Sequence, residues 1–431
     1  MERMSLKTWL RQHYHWVVFA VVFLVFTVTV GIGNNLYGLY LIPVTEELGI
    51  SRSTFSLAPS IKYLAAFFSN LLFGVLYHRY GYRRTSSLAL VLVCMAYVGY
   101  GTAQSVLPFC IGAVIVGLVE SFYVTAAASR VIGDWFHRHQ GTILGIVLAA
   151  SGLGGSLFSG ILSGLMQNRS WRFALLFSAC LFLLSAVAVF CFVPDKPEKV
   201  GLCPYGDEAD RAEERKKHAK NVQEWDGFPL GYLRSRPSFY LMLIATFLIS
   251  FITYGMYTVI PAHVQDQGMS QSTAALIQSV MFMTLAGAKV LEGIFSDRFG
   301  AKRVMMLCLI LNVVSMLLLA WIRTPWMAIL GVTVFSLPFG IPSIMLPVLT
   351  AETFGRHDYG TILGLMLAMV SLSGVVAGPV INFSYDMLGS YTPAFLVMAV
   401  LAVITMVVYL AAFRTAEQDR KKAEQKKAEQ A

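Results

Sequence analysis

The chain has 431 residues, 56% of them hydrophobic and 13% charged, with a net charge of +9. Soluble proteins carry roughly 45–50% apolar and about 25% charged residues. At a mean hydropathy of +0.64 there is too little polar surface for a soluble enzyme or a DNA-binding protein of this size. The cysteines (Cys94, Cys110, Cys180, Cys191, Cys203 and Cys308) form no CxxC, and all but Cys203 lie in apolar runs. That pattern fits neither a disulfide framework nor a zinc site.

A helix that crosses lipid needs about 20 mostly apolar residues, because its backbone polar groups must be satisfied internally. Twelve runs meet this: 16–42, 56–77, 86–104, 107–131, 141–165, 172–193, 238–262, 272–295, 303–322, 326–350, 361–385 and 393–413. They are spans 1 to 12 below. The first is too long for a cleavable signal. An even span count puts both termini on one side, taken as the cytoplasm. The Lys and Arg residues then lie on that side, Arg130 at its membrane edge. The exceptions are Arg52, Arg169, Arg172 and Arg323 outside, and Lys62 and Lys289 within spans. This positive-inside bias explains the basic balance without a nucleic acid partner.

The chain repeats itself. Gly74-x-x-x-His78-Arg79-x-Gly81-x-Arg83-Arg84 follows span 2, and Gly293-x-x-x-Asp297-Arg298-x-Gly300-x-Lys302-Arg303 follows span 8. Gly141-Thr-Ile-Leu-Gly145 and Gly360-Thr-Ile-Leu-Gly364 precede spans 5 and 11. Both matches have an offset of 219 residues. A duplicated six-helix half follows, with both copies in the same orientation. That is the parallel-repeat architecture with its site at mid-membrane between the halves. The expected fold is an all-α polytopic membrane protein of twelve helices. Its parts are an N-terminal six-helix bundle (1–195), a cytoplasmic central loop (196–235), a C-terminal six-helix bundle (236–413) and a charged cytoplasmic tail (414–431).

The loop G-x-x-x-D-R-x-G-x-R-R is similar to the signature of the major facilitator superfamily, and the second copy matches it well. The first departs, with His78 in place of the usual Asp. The resemblance implies a cytoplasmic latch, with the acidic residue facing a helix N-terminus and the arginines bridging helices. Asp297, Arg298, Arg303, Arg79, Arg83 and Arg84 are thereby gating candidates, with ordinary positive-inside anchoring as the plainer role. A narrower resemblance, to the monocarboxylate and oxalate/formate-type branch, rests on three stretches: Gly38 to Ser53, Trp135-Phe136 with Arg138 and Gly141, and Lys199 to Asp207.

Ionisable residues within spans are functional candidates, since a buried charge costs at least about 2.5–3.5 kcal/mol. Glu120 lies mid-span and is too short to snorkel, so it is the candidate proton carrier. A neutral carboxyl bonded to a neighbouring helix is its alternative role. Lys289 stands about where the monocarboxylate branch has a substrate-binding arginine, so the resemblance implies that it meets the substrate carboxylate. Glu292, one turn on, is the second proton-coupling candidate. The plainer role is a snorkelling Lys289 paired to it. Lys62, near the outer end of span 2, is expected to snorkel outward. Asn34, Asn35 and Tyr37 in span 1, Tyr123 in span 4 and Tyr254 in span 7 make candidate cavity walls. Arg130 is expected to anchor or gate.

There is no GxxxxGK[ST], HExxH or GxSxG, no cofactor or metal is implied, and no enzyme is expected. The expected function is a secondary transporter working by alternating access. Its cargo would be a small, monocarboxylate-like organic anion, moved by proton symport or anion exchange. The runner-up is an exporter of amphipathic compounds or drugs. The expected partners are the lipid bilayer, the anion and protons. The expected setting is a monomer in the cell membrane with both termini cytoplasmic.

Overall fold

In the computed structural model the described residues are 14–136, 140–200, 202, 204–205, 227–341, 345–355 and 357–430. They are helical apart from short turns and two isolated bridges. The helices are α1 (Tyr14–Gly33), α2 (Leu41–Leu48), α3 (Arg52–Phe55), α4 (Leu57–Gly101), α5 (Val106–Val119), α6 (Thr125–Trp135), α7 (Gln140–Asn168) and α8 (Trp171–Phe192). After the central loop come α9 (Leu230–Leu233), α10 (Pro237–Asp266), α11 (Gln271–Phe299), α12 (Ala301–Ala320), α13 (Pro325–Ser336), α14 (Leu346–Phe354), α15 (Tyr359–Leu388) and α16 (Thr392–Gln430). Among the described residues ten helical stretches are long and apolar enough to cross a membrane. Two expected spans remain outside that set. Span 2 is the first part of α4, and span 10 is the shorter apolar stretch Pro325–Gly340.

Outward side chains are apolar where a soluble protein would be polar: Leu64, Phe67, Leu107, Ile111, Leu183, Val187 and Val400 are all exposed. Large apolar side chains exposed on helices of this length suit lipid rather than water.

The chain divides into two compact units, 1–50 with 57–222, and 51–56 with 223–431. In unit 1, α1 lies directly on α7. A Cβ at Gly31 would come within 2.7 Å of the Gly154 backbone, and one at Gly154 would collide with the Thr27 carbonyl. Small residues let the two backbones touch, which supplies the van der Waals contact that holds helices together in lipid. Unit 2 is built on Met242, Ala245 and Ile249 of α10, with Met305 and Leu309 of α12, Leu349 of α14 and Tyr409 of α16.

The 219-residue offset is written into the backbone. Gly81 kinks α4 with φ 77°, and its counterpart Gly300 separates α11 from α12 with φ 86°. Both need a positive φ, which glycine alone adopts without strain. The Trp135 carbonyl accepts from Tyr205 N at 2.9 Å, and its counterpart, the Phe354 carbonyl, accepts from Phe228 N at 3.0 Å. Each unit thus ties the end of its fourth span to the central loop.

Three spans expected as continuous are broken. Span 1 leaves the α-helix at Asn34 and resumes as a 3-10 turn, Tyr37–Tyr40, before α2. Span 4 breaks at the 3-10 turn Glu120–Phe122, and span 10 at Leu337–Gly340. The last two breaks overlap under the offset, which carries Glu120 to Phe339. A hydropathy window registers apolar content and cannot see these interruptions. Discontinuous helices in transporters present unwound backbone and polar side chains to a cavity.

Candidate functional site

The breaks in spans 1 and 4 face each other inside unit 1, and polar side chains meet there. Lys62 Nζ donates to Asn34 Oδ1 at 2.7 Å, and Asn34 Nδ2 donates to Glu120 Oε1 at 2.9 Å. Lys62 Nζ lies 3.5 Å from the same Glu120 oxygen, and both side chains are nearly out of solvent. Asn34 therefore reads an ammonium with one end of its amide and a carboxylate with the other. Asn35 Nδ2 donates to the Ser151 carbonyl of α7 at 2.9 Å. That bond fixes the break in span 1 against a third helix.

Lys62 corrects the sequence reading, which sent it outward. Span 4 packs so closely on span 2 that a Cβ at Gly117 would collide with the Lys62 carbonyl. Glu120 lies one helical turn beyond Gly117, about 4.5 Å along the axis. The lysine stem is long enough to follow that turn inward, where an opposite charge awaits it. Bringing two charges into an apolar bundle costs several kcal/mol per ion, and only mutual pairing with further hydrogen bonds offsets it. Asn34 supplies those bonds.

Tyrosines surround the pair. Tyr123 is buried beside the break in span 4, and Tyr97 packs on Phe182 with ring centroids 4.7 Å apart. Tyr97 and Tyr123 are close enough to Glu120 to feel its charge. Tyr37 opens the 3-10 turn of span 1 and lies close to Tyr97 and Tyr100. The structure thus brings Asn34, Asn35, Tyr37, Tyr123 and Glu120 into one unit, and adds Lys62.

Lys289, Glu292 and Tyr254 belong to unit 2. Glu292 Oε1 accepts from the backbone N–H of Gly340 at 3.1 Å, in the broken turn of span 10. Its Oε2 is buried without a hydrogen-bond partner among the described residues. A Cβ at Gly340 would collide with that carboxyl group. Lys289 is half-buried, within electrostatic reach of Glu292 but forming no ion pair with it among the described residues. Tyr254 meets Tyr257 and Phe339 edge-on, at 6.2 and 6.5 Å.

The gating candidates lie at the Gly81 and Gly300 ends. The side chains of His78 and Asp297 lie outside the described ones, as do Arg138 and much of the 199–207 stretch. Arg298 and Arg303 are exposed, Arg298 over the Phe299 ring. Where the first loop lacks its usual Asp, Asp195 supplies a carboxylate. Its Oδ1 accepts from the Arg83 N–H at 2.9 Å, at the start of the helix after Gly81. A carboxylate there suits the positive end of the helix. The Arg83 side chain bonds to the Phe190 carbonyl, and Arg130 pairs with Asp134 at 3.5 Å.

At the opposite end of the spans is a cluster that sequence reasoning missed. Residues 51–56 lie between the first two spans yet group with unit 2. Arg52 grips Asp266 with two hydrogen bonds of 2.7 and 2.8 Å and stacks 3.7 Å from the Tyr385 ring centroid. Asp386 accepts from the backbone N–H groups of Arg52 and Ser53 at 3.2 and 3.1 Å. No local signal joins residues more than two hundred positions apart.

A sequence profile described as Major Facilitator Superfamily matches residues 21–291 and 264–431. The chain belongs to the Major Facilitator Superfamily. It is a multi-pass membrane transporter rather than an enzyme. It is 20% identical over 370 residues to a hexuronate transporter of Bacillus subtilis, covering 83% of each chain. It is 24% identical over 288 residues to the human monocarboxylate transporter 12, covering 62% of this chain but only 55% of that one. Among solved structures, the nucleoside transporter NupG superposes with a TM-score of 0.70 at 15% identity, over 93% of this chain and 99% of that one. That likeness speaks for the fold alone.

Proposed function

We propose that this facilitator moves a small organic anion by alternating access, with a proton or in exchange for a second anion. The observation that carries the reading is the part-buried Lys62–Asn34–Glu120 cluster. At rest the ammonium and the carboxylate cancel. When Glu120 takes a proton, Lys62 loses its counter-charge and is free to pair with an incoming carboxylate. The cluster is then neutral again: one ammonium, one carboxylic acid, one bound anion. Losing anion and proton together restores the resting pair. Neither end state holds an uncompensated charge in the membrane, which keeps the desolvation cost low throughout the cycle.

Lys289, within its span in unit 2, is a second candidate cation for a carboxylate, with Glu292 as its acid. Asn35, Tyr37 and Tyr123 in unit 1, and Tyr254 in unit 2, are the candidate substrate-contacting side chains. Hexuronates and monocarboxylates, for which two of the relatives are named, both carry a carboxylate, which supports this cargo class. The distribution of Lys and Arg supports cytoplasmic termini, and a cell-membrane setting is part of the same proposal.

The test is uptake of a panel of radiolabelled short carboxylates into proteoliposomes, with and without a proton gradient. Saturable uptake that a gradient or internal anion accelerates is expected. If no carboxylate is transported while amphipathic compounds or drugs are, the chain is a transporter of that second class and the anion reading falls.

A further inference from the structure

The first signature loop frames two cavities, apart from the buried charges of the spans. One, of about 330 Å³, is lined by Arg79, Arg84, Arg130, Lys196 and Lys199 with Asp134 and Asp195. The other, of about 420 Å³, adds Arg83 and Phe190 and shares Arg84, Asp195 and Lys199 with the first. Small-ligand pockets run to roughly 300–1,000 Å³.

Both carboxylates in this basin are already engaged. Asp134 accepts from Tyr77 OH at 3.0 Å and pairs with Arg130. Asp195 accepts from the Arg83 N–H and from Lys199 Nζ, the latter at 2.6 Å. Arg84 and Lys196 have exposed side chains that meet no acidic group among the described residues. Cations therefore outnumber anions, and the surplus faces the cavities.

The position matters as much as the charge. The basin sits where α4 turns at Gly81, where α6 ends and where α8 has just ended, so it lies at a membrane edge. Lipid-facing Leu183, Val187 and Phe190 are all exposed and form one stripe of α8, spaced by three and four residues, which leads up to it. An ammonium or guanidinium cluster above an apolar stripe matches a phosphate headgroup above an acyl chain.

We propose that this basin binds an anionic phospholipid, with its phosphate at Arg84 and Lys196 and an acyl chain along the stripe. The site is a consequence of Asp195: by capping the helix after Gly81 it draws the chain beyond α8, with its lysines, back over the signature loop.

The test uses the full-length protein in detergent, titrated with phosphatidylglycerol or phosphatidylcholine, with bound lipid counted by native mass spectrometry. Each basic residue near an anionic surface contributes about fivefold to affinity. The wild type should prefer phosphatidylglycerol by about tenfold or more, and added salt should erode the preference. Arg84→Gln with Lys196→Gln should abolish it, and Arg84→Lys with Lys196→Arg should keep it. Equal retention of the two lipids by the wild type would overturn the proposal whether or not any variant folds. So would an unchanged preference in the folded Gln pair. Inorganic phosphate is the third probe. If millimolar phosphate displaces the lipid and binds in lipid-free detergent, the site serves soluble phosphate and the lipid assignment fails.

Discussion

Lys62 and Glu120 stand 3.5 Å apart inside the first unit, and the Asn34 amide bonds to both. A buried pair of this kind is worth little as a source of stability, because desolvating two ions consumes the Coulomb gain. Its removal by halves is another matter. Lys62→Met or Glu120→Gln alone strands one charge in an apolar bundle and should cost about 3–5 kcal/mol. The double variant should recover most of that loss. Thermal unfolding of the three proteins in one detergent measures it. Additive losses in the double variant would mean that the two groups are not coupled.

Gly340 carries a second stability prediction. Its N–H meets Glu292, and a side chain there would collide with the carboxyl group. Gly340→Ala should lower stability by about 1–3 kcal/mol, as overpacking usually does. Glu292→Ala should make room, so Gly340→Ala in that background should cost far less. An equal penalty in both backgrounds would place the fault in the backbone of the broken turn instead.

Lys289→Gln should raise the apparent KM for a transported carboxylate roughly ten- to hundredfold, the value of one charge-assisted hydrogen bond. Lys289→Arg should retain partial activity with altered preference, since the charge persists and the geometry changes. An unchanged KM in Lys289→Gln, measured by initial-rate uptake, would reduce Lys289 to a snorkelling anchor.

Arg52→Lys should destabilise the protein by about 1.5–3 kcal/mol. Lysine offers neither the two-pronged grip on Asp266 nor the stack on Tyr385. Tyr385→Phe keeps the ring and loses a 3.3 Å bond to Asp266, so its melting temperature should fall less. A larger fall for Tyr385→Phe than for Arg52→Lys would contradict this ranking.

What the sequence made legible follows from range. The 219-residue offset is a pattern along the chain, and it locates the paired turns at Gly81 and Gly300. Glu120 stands out because a carboxylate in an apolar run is costly wherever the run folds. The partner of Glu120 was not legible, because the inward course of Lys62 depends on the close contact at Gly117. Nor was the carboxylate that stands in at the first signature loop, since Asp195 reaches Arg83 across 112 positions. Arg52 and Asp266 are farther apart still. Each of these depends on which helices pack together, and a single sequence states that only indirectly.

The central claim is that Glu120 carries the proton whose arrival frees Lys62 for the anion. It is tested most directly in proteoliposomes holding Glu120→Gln, compared with wild type for a carboxylate that the wild type transports. In that variant an imposed proton gradient should no longer drive accumulation, while exchange of labelled for unlabelled substrate continues. Accumulation at the wild-type level by folded Glu120→Gln would contradict it.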